Sequence, residues 1–443
     1  MVIGGGGREH ALVHGLVASR AVERVLCVPG NAGTAAIAEN VDADIADHDA
    51  VIAIARQRHV DLTVVGPEAP LCAGIVDRFE RAGLRIFGPS AAAARIEGDK
   101  AYAKRLMKAA TIPTAEGRVF TNYHDARAYV ATRDAGVVVK AAGLAAGKGV
   151  IVCHDPADGL LELERIMVDR VFQDAGACVV VEEILQGQEL SVIALVDGET
   201  IYVLETAQDH KPVGDGDTGP NTGGMGAYSP APIATPGVMA TVERDILVPI
   251  VHAMREERSP YRGALYAGLM LTPAGPKVLE FNCRFGDPEA QAMLMRLRSD
   301  LFDLLDAVAT GRLADADVRW DPRPAVCVVM ASQGYPGPYK TGHVIHGLER
   351  VADMPDVHVF HAGTARAGTT HVGTPHDAGT TVTSGGRVLG VTALGSDIAD
   401  AQRRAYAAVD EIQFEGAFCR RDIADRAVDH AAESRSANPH ATP

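Results

Sequence analysis

The chain has 443 residues, of which 47% are hydrophobic and 22% charged, and it carries a formal net charge of −15. That length exceeds what one compact core needs and implies about two to four domains. The acidic balance excludes an extended nucleic-acid surface, which requires a basic stripe, but it leaves room for a local basic pocket.

The seven cysteines are dispersed, with no pair at the spacing of zinc sites or redox motifs, and read as reduced thiols. Met1 runs almost directly into a strand, and no apolar run approaches the roughly 20 residues of a membrane span. The expectation is a cytoplasmic enzyme without a signal peptide.

Residues 1–90 alternate short apolar runs at 2–3, 24–28, 62–65 and 85–87 with helical patterns at 8–18, 51–58 and 71–82. Such alternation predicts a doubly wound parallel sheet, whose ligands bind at the carboxyl ends of the strands. Asp99 then caps a helix with Tyr102, Leu106 and Ala110 on one face, and Pro113 stops it. Strands are expected at 136–141, 150–153, 178–184 and 190–196. The Gly/Pro-rich stretch 209–230 is too long for a plain connector, and a hairpin follows at 266–272 and 277–282. Residues 324–420 read as a final small α/β unit. Its strands lie at 325–331, 357–360 and 388–392, and Ser396 caps its helix. The polar tail is expected to be disordered.

Four stretches carry chemistry. On the second hairpin strand, alternation puts Glu280, Asn282 and Arg284 on one face and Phe281 and Cys283 on the other. A carboxylate and an amide oxygen are hard ligands suited to Mg²⁺ shared with phosphates, and an arginine beside them suits an anion. The same alternation also describes the solvent face of an ordinary hairpin.

Lys140 ends a buried strand before a glycine loop that holds Gly143, Gly147, Lys148 and Gly149. Backbone amides and ammonium groups of this kind suit a triphosphate. The spacing is not that of a Walker A loop, and a glycine-bearing turn with solvated lysines fits equally well. The opening turn Gly4, Gly5, Gly6, Gly7, Arg8, Glu9 can present a helix N-terminus to a phosphate. It fails as a dinucleotide fingerprint, since Glu9 stands where a third glycine belongs. Glu68 ends a neighbouring strand, where it suits sugar hydroxyls, and a plain turn fits at least as well. The long loop concentrates Asp209, Lys211, Asn221, Thr222 and Gly223, while His210 reads as structural.

In order, GGGGREHAL (4–12), PGNAGT (29–34), VGPEAPL (65–71), GLAAGKGV (143–150), QDHK (208–211), DTGPNTGGMGAYSP (217–230), LYAGLM (265–270) and EFNCRFGDPE (280–289) resemble the ATP-grasp ligases. With GYPG (334–337), HAGT (361–364) and GGRVLGVTALG (385–395), the chain looks specifically like the phosphoribosylamine–glycine ligase family from residue 2 to about 426. The resemblance implies three α/β parts: an N-terminal doubly wound domain (1–97), an ATP-grasp domain (98–320) with a small lid (115–186), and a small C-terminal domain (321–426). A disordered tail (427–443) would follow. It implies joining of glycine to 5-phosphoribosylamine with ATP and Mg²⁺, or Mn²⁺ in its place, through a glycyl phosphate. No nucleic acid or membrane takes part, and the enzyme would be a monomer or weak homodimer.

By the same resemblance Glu280 and Asn282 hold the metal, and Lys100, Lys140 and the loop through Lys148 hold the ATP phosphates. The backbone of the linker with Glu182, Glu183 and Leu185 reads adenine, and Glu189 reads the ribose of ATP. Gly4, Gly6, Gly7, Arg8, Glu9 and Glu68 face phosphoribosylamine. Asp209, Lys211, Arg284, Asn221, Thr222 and Gly223 border glycine, the first three in catalytic roles. Two departures stand out: Ala142 replaces the family's usual aspartate, and Gln188 a glutamate. The first strand is also a few residues short. A bicarbonate-using ATP-grasp carboxylase and a nucleotide-binding protein without turnover are the alternatives. The string DTGPNTGGMGAYSP argues against the first, and only Ala142 points to the second.

Overall fold

The computed structural model describes residues 1–145, 148–368 and 379–437. The first strands, β1 (Val2–Gly4), β2 (Leu26–Pro29), β3 (Glu39–Asn40), β4 (Thr63–Val65) and β5 (Ile86–Phe87), form a parallel sheet in the order β3-β2-β1-β4-β5. The order reverses between β1 and β4, and the turns after those two strands carry Gly4–Gly7 and Glu68. A crevice at such a reversal is where this kind of sheet takes its ligand. The helix expected at 71–82 is two helices, Glu68–Cys72 and Ile75–Arg81, because Gly74 adopts φ +84° between them.

Asp99 caps the helix Lys100–Ala109 as expected, accepting from the Tyr102 amide at 2.9 Å. A four-stranded antiparallel sheet follows in the order β6-β9-β7-β8, from β6 (Gly117–Phe120), β7 (Val137–Ala141), β8 (Val150–Cys153) and β9 (Val179–Glu183). Helices Tyr123–Ala131 and Pro156–Met167 pack on one face, burying Val137, Val139, Cys153, Val179 and Val181 in a small core of their own. The central sheet runs β11-β10-β16-β17, from β10 (Gln188–Asp197), β11 (Ile201–Val203), β16 (Arg262–Thr272) and β17 (Gly275–Asn282). It shares a continuous core with the parallel sheet.

The stretch 209–230 is not one open loop. It contains β12 (Gln208–Asp209), the hairpin β13 (Pro212–Gly214) with β14 (Thr218–Asn221), and β15 (Gly226–Ser229). Both β12 and β15 belong to the C-terminal sheet, ordered β12-β15-β18-β22-β19 through β18 (Ala325–Ser332), β19 (Val357–His361) and β22 (Arg387–Leu394). A short pair, β20 (Thr364–Arg366) with β21 (Thr381–Thr383), and β23 (Ala417–Phe418) beside β18 complete that part. The helix Ile398–Glu411 is capped by Asp397 rather than Ser396, whose hydroxyl bonds to Asp400 instead. The tail expected to be disordered from 427 is helical over Asp425–Ala437, because Ala427 and Val428 pack on the C-terminal core. Residues 438–443 lie outside the described residues.

Candidate active site

The face of the β6-β9-β7-β8 sheet turned away from its two helices carries Val138, Lys140, Val180 and Glu182, set there by the pleat. Lys140 Nζ lies 2.7 Å from one Glu182 oxygen and donates to the Leu279 carbonyl on β17 at 2.9 Å. Lys104 Nζ holds the other Glu182 oxygen at 2.5 Å and donates to Thr114 Oγ1 and the Ala115 carbonyl. All three charged groups are buried. Burial pushes the Lys104 ammonium below its usual range even with Glu182 beside it. The Glu182 side chain is therefore committed to two lysines. Sequence reasoning missed Lys104, although its place one turn after Lys100 set it on the same helical face.

The glycine loop is closed by its backbone: Lys100 N donates to Ala142 O at 2.8 Å, and Gly143 N to Ala175 O at 3.1 Å. Added Cβ atoms would sit 2.7 Å from Ala175 Cα at Gly143 and 2.7 Å from Ala145 Cβ at Gly149. These two glycines serve close packing of the loop. Gly147 lies outside the described residues, and Lys148 N closes a turn on Ala145 O at 2.9 Å.

Glu280 stands on β17 opposite Gly268, just past a register shift in that strand pair. Burial pushes its carboxyl up, but Lys211, Lys100, Lys140 and Arg284 outweigh that, and the net shift is downward. Among the described residues its carboxylate has no hydrogen bond or ion pair. Asn282 is buried, and its Oδ1 accepts from Arg284 Nη2 at 3.3 Å. The expected opposite face is present: Phe281 and Cys283 enter the core. No cluster of three or more His, Cys, Asp or Glu among the described residues could hold a metal by itself. Two hard oxygen donors without a cage fit Mg²⁺, which is completed by substrate phosphates and water.

Arg284 links this strand to the parallel sheet. Its Nη2 lies 2.9 Å from Glu97 and its Nε 3.4 Å from Glu68, while Glu97 also accepts the Cys283 amide at 2.7 Å. Burial pushes the Glu68 carboxyl up, and Arg284 and Arg8 reverse this to a net lowering. Lys211 lies 2.8 Å from Glu189, which brings the latter toward Asp209 and Glu280. Burial first, then Glu289, Glu189 and Glu280 push Asp209 up to about 7 against the pull of Lys211.

In the opening turn Arg8 is engaged within the protein: its Nε pairs with Glu9 at 2.6 Å and its Nη1 donates to Phe285 O at 3.1 Å, all buried. Glu9 in turn accepts the Gly6 amide at 2.6 Å, capping the helix Gly7–Val17. An added Cβ at Gly4 would lie 2.6 Å from Glu9 Cγ, and one at Gly7 would lie 2.5 Å from Gln291 Nε2. The glycines make room for these side chains and keep the backbone of the turn on the crevice.

In the long loop, Thr222 closes the neck, its amide and Oγ1 donating to Lys211 O at 2.8 and 2.7 Å. Gly223 O accepts from Arg387 at 2.7 Å. Asn221 is exposed, its backbone paired with Pro212 on the hairpin, and it stands outside the buried charge cluster. His210 is buried, and burial followed by Arg420 and Arg426 lowers it to about 3, so it is neutral as a structural histidine. Glu97, Arg387 and Arg420 are site neighbours that sequence reasoning did not single out.

Comparison with known proteins gives a consistent result. The chain matches the phosphoribosylglycinamide synthetase N domain over residues 1–97, the ATP-grasp (A) domain over 98–290 and the C domain over 325–426. It is 54% identical over 435 residues to a phosphoribosylamine–glycine ligase of Rhodopirellula baltica, covering 97% of each chain. A crystal structure of phosphoribosylamine–glycine ligase from Thermotoga maritima aligns with a TM-score of 0.78 at 30% identity, over 95% of this chain and 99% of that one. The biotin carboxylase domain of Hydrogenobacter thermophilus 2-oxoglutarate carboxylase, solved with MgADP and bicarbonate, aligns with a TM-score of 0.70 at 14% identity. That alignment covers 94% of this chain and 90% of the other, and at such identity it reflects a shared fold.

Proposed function

The chain belongs to the phosphoribosylglycinamide synthetase family, and from that premise we propose how its own residues carry out the ligation. It is an ATP-dependent carbon–nitrogen ligase of purine biosynthesis, joining glycine to phosphoribosylamine. We assign 1–97 to the phosphoribosylamine domain, 98–320 to the ATP-grasp domain with 115–186 as its lid, and 321–426 to the C-terminal domain.

A glycine carboxylate is a poor electrophile, so the ATP γ-phosphoryl first moves onto one of its oxygens, giving glycyl phosphate and ADP. The amine of phosphoribosylamine then attacks the acyl carbon, the C–O bond to phosphate breaks, and the nitrogen gives up a proton. The protein positions these groups and offsets their charge. Lys100, Lys140 and Lys148 face the triphosphate, and the backbone at Glu183 and Leu185 reads adenine. Glu182 acts through Lys140, holding its ammonium in place.

Gly4, Gly6 and Gly7 present backbone to phosphoribosylamine, kept there by the Arg8–Glu9 pair, and Glu68 takes its ribose hydroxyls. Asp209, Lys211, Thr222, Gly223 and Arg284 border glycine. Asn221 flanks this pocket from outside, and Glu189 stands between it and the ribose of ATP. Glu280 and Asn282 would hold Mg²⁺, or Mn²⁺ in its place; when bound, it supplies charge neutralisation for the phosphoryl group.

One observation carries this reading: the unpartnered Glu280 carboxylate at the meeting point of Lys211, Lys100, Lys140 and Arg284. The site is formed within a single chain, and we take a monomer, or a weak homodimer, as the working unit. No described helix is long and apolar enough to cross a membrane, and the seven cysteines are unpaired, which supports a reducing cytoplasm. The test is phosphate release from ATP and Mg²⁺ with glycine, phosphoribosylamine or bicarbonate omitted in turn. Dependence on both glycine and phosphoribosylamine is the expected result. Dependence on bicarbonate would reject it in favour of a carboxylase.

A further inference from the structure

The loop that carries Lys211 and Thr222 leaves the C-terminal sheet at β12 and returns to it at β15. Between those strands two arginines of the C-terminal part hold it, one at each end. Arg420 has a side chain only 1% exposed, and its Nη1 donates to Pro212 O at 3.1 Å and lies 3.0 Å from Asp217. Its other nitrogens are fixed by Asp422 at 2.7 and 2.6 Å, and Asp422 also accepts the Gly216 amide at 2.9 Å. Asp217 is further paired with Arg426.

At the opposite end, Arg387 on β22 gives one nitrogen to three carbonyl oxygens: Gly223 at 2.7 Å, Gly224 at 3.3 Å and Asp287 at 2.6 Å. Its Nη2 lies 3.2 Å from the Asp287 carboxylate. These bonds tie the Thr222 end of the loop to the segment that follows Arg284. A guanidinium can serve several acceptors in fixed directions, which an ammonium on a flexible stem cannot.

We propose that Arg387 and Arg420 are positioning residues for the amino-acid substrate. They clamp the two limbs of the hairpin so that Lys211, Thr222 and Gly223 keep their places, and the C-terminal domain thereby sets the affinity for glycine. The inference rests on the reading of this loop as a border of the glycine pocket. It extends that reading to residues that touch no substrate.

The test compares Arg387→Lys, Arg420→Lys and Asp217→Asn with Thr222→Ala, a direct change in the loop neck, measuring KM for glycine, KM for ATP and kcat in each. Asp217→Asn loosens the Arg420 link from its exposed side and serves where an arginine variant does not fold. The clamp predicts a KM for glycine raised about tenfold, with KM for ATP and kcat moved by less than about threefold, the signature of lost ground-state binding. A merely structural role would lower stability and leave the glycine KM alone. If Thr222→Ala raises the glycine KM while the arginine and Asp217 variants do not, the clamp is wrong and the loop reading stands. If none of the four moves it, the loop reading fails and takes the clamp with it.

Discussion

Glu182 on β9 and Lys140 on β7 lie diagonally across adjacent strands, 2.7 Å apart and both buried. The second Glu182 oxygen takes Lys104 at 2.5 Å, so one carboxylate bridges two ammonium groups. Removing it leaves both without their ion-pair partner. Glu182→Ala is therefore expected to lower stability by about 3–5 kcal/mol, the usual result of breaking a buried pair from one side. Lys104→Met leaves the Glu182–Lys140 pair in place and costs less. Urea unfolding of the two variants checks the order; equal and small losses would contradict it.

Glu280→Ala is expected to lower turnover by about a thousandfold or more while the protein stays folded, since it removes the one carboxylate at the proposed metal position. Circular dichroism and phosphate release measured on the same sample test this. Turnover like that of the unmodified enzyme would remove Glu280 from the metal site.

One histidine cluster is expected to make the fold sensitive to acid. His10, His14, His358 and His361 gather with Phe360 where the helix Gly7–Val17 meets β19. Burial is the leading cause that lowers His10 to about 2, His358 to about 3 and His361 to about 4. These groups are neutral in the fold and charge readily once it opens, so the stability they permit is complete above pH 6.5 and is lost as pH falls toward 4. Each contributes about 1.4 kcal/mol per pH unit within its window. Among the described residues His358 Nε2 is buried without a partner, and the ring packs on Phe360 at 4.5 Å between centroids. His358→Phe should thus weaken the pH dependence of the urea midpoint between pH 6.5 and 4 without loss at pH 8. An unchanged slope would show that the charge on this ring does not matter.

Because glycyl phosphate hydrolyses readily, the site has to exclude water once ATP is bound. Amide exchange across 141–149 is expected to slow when ATP and Mg²⁺ are added, as the 115–186 lid closes on the nucleotide. Exchange that is the same with and without them would remove the lid from the account.

Much of this site could be read from local pattern. Asp99 announces its helix through one side-chain bond to the amide three residues on, and the pleat alone separates Glu280 and Asn282 from Phe281 and Cys283. Local pattern says nothing about partners far along the chain. Arg8 looked open to a phosphate because its neighbours in sequence are glycines, yet one of its acceptors, Phe285 O, lies 277 residues away. Arg420 and Pro212 are 208 residues apart, so nothing in either segment marks them as a pair. The long loop reads as irregular because its β12–β15 pair joins the C-terminal sheet through β18, far along the chain. Gly74 divides a pattern whose apolar spacing is continuous, since a left-handed glycine leaves no trace in hydrophobic periodicity. The tail helix is held by Ala427 and Val428, too few apolar contacts to stand out in a polar segment.

Activation of the glycine carboxylate as an acyl phosphate can be followed with glycine labelled with ¹⁸O in both carboxylate oxygens, the released phosphate being analysed by mass spectrometry after a complete reaction. Attack on ATP by the carboxylate, followed by attack of the amine on carbon, must leave one labelled oxygen in the phosphate and one in the amide. Phosphate carrying one ¹⁸O is the predicted result, and phosphate without label would contradict the account.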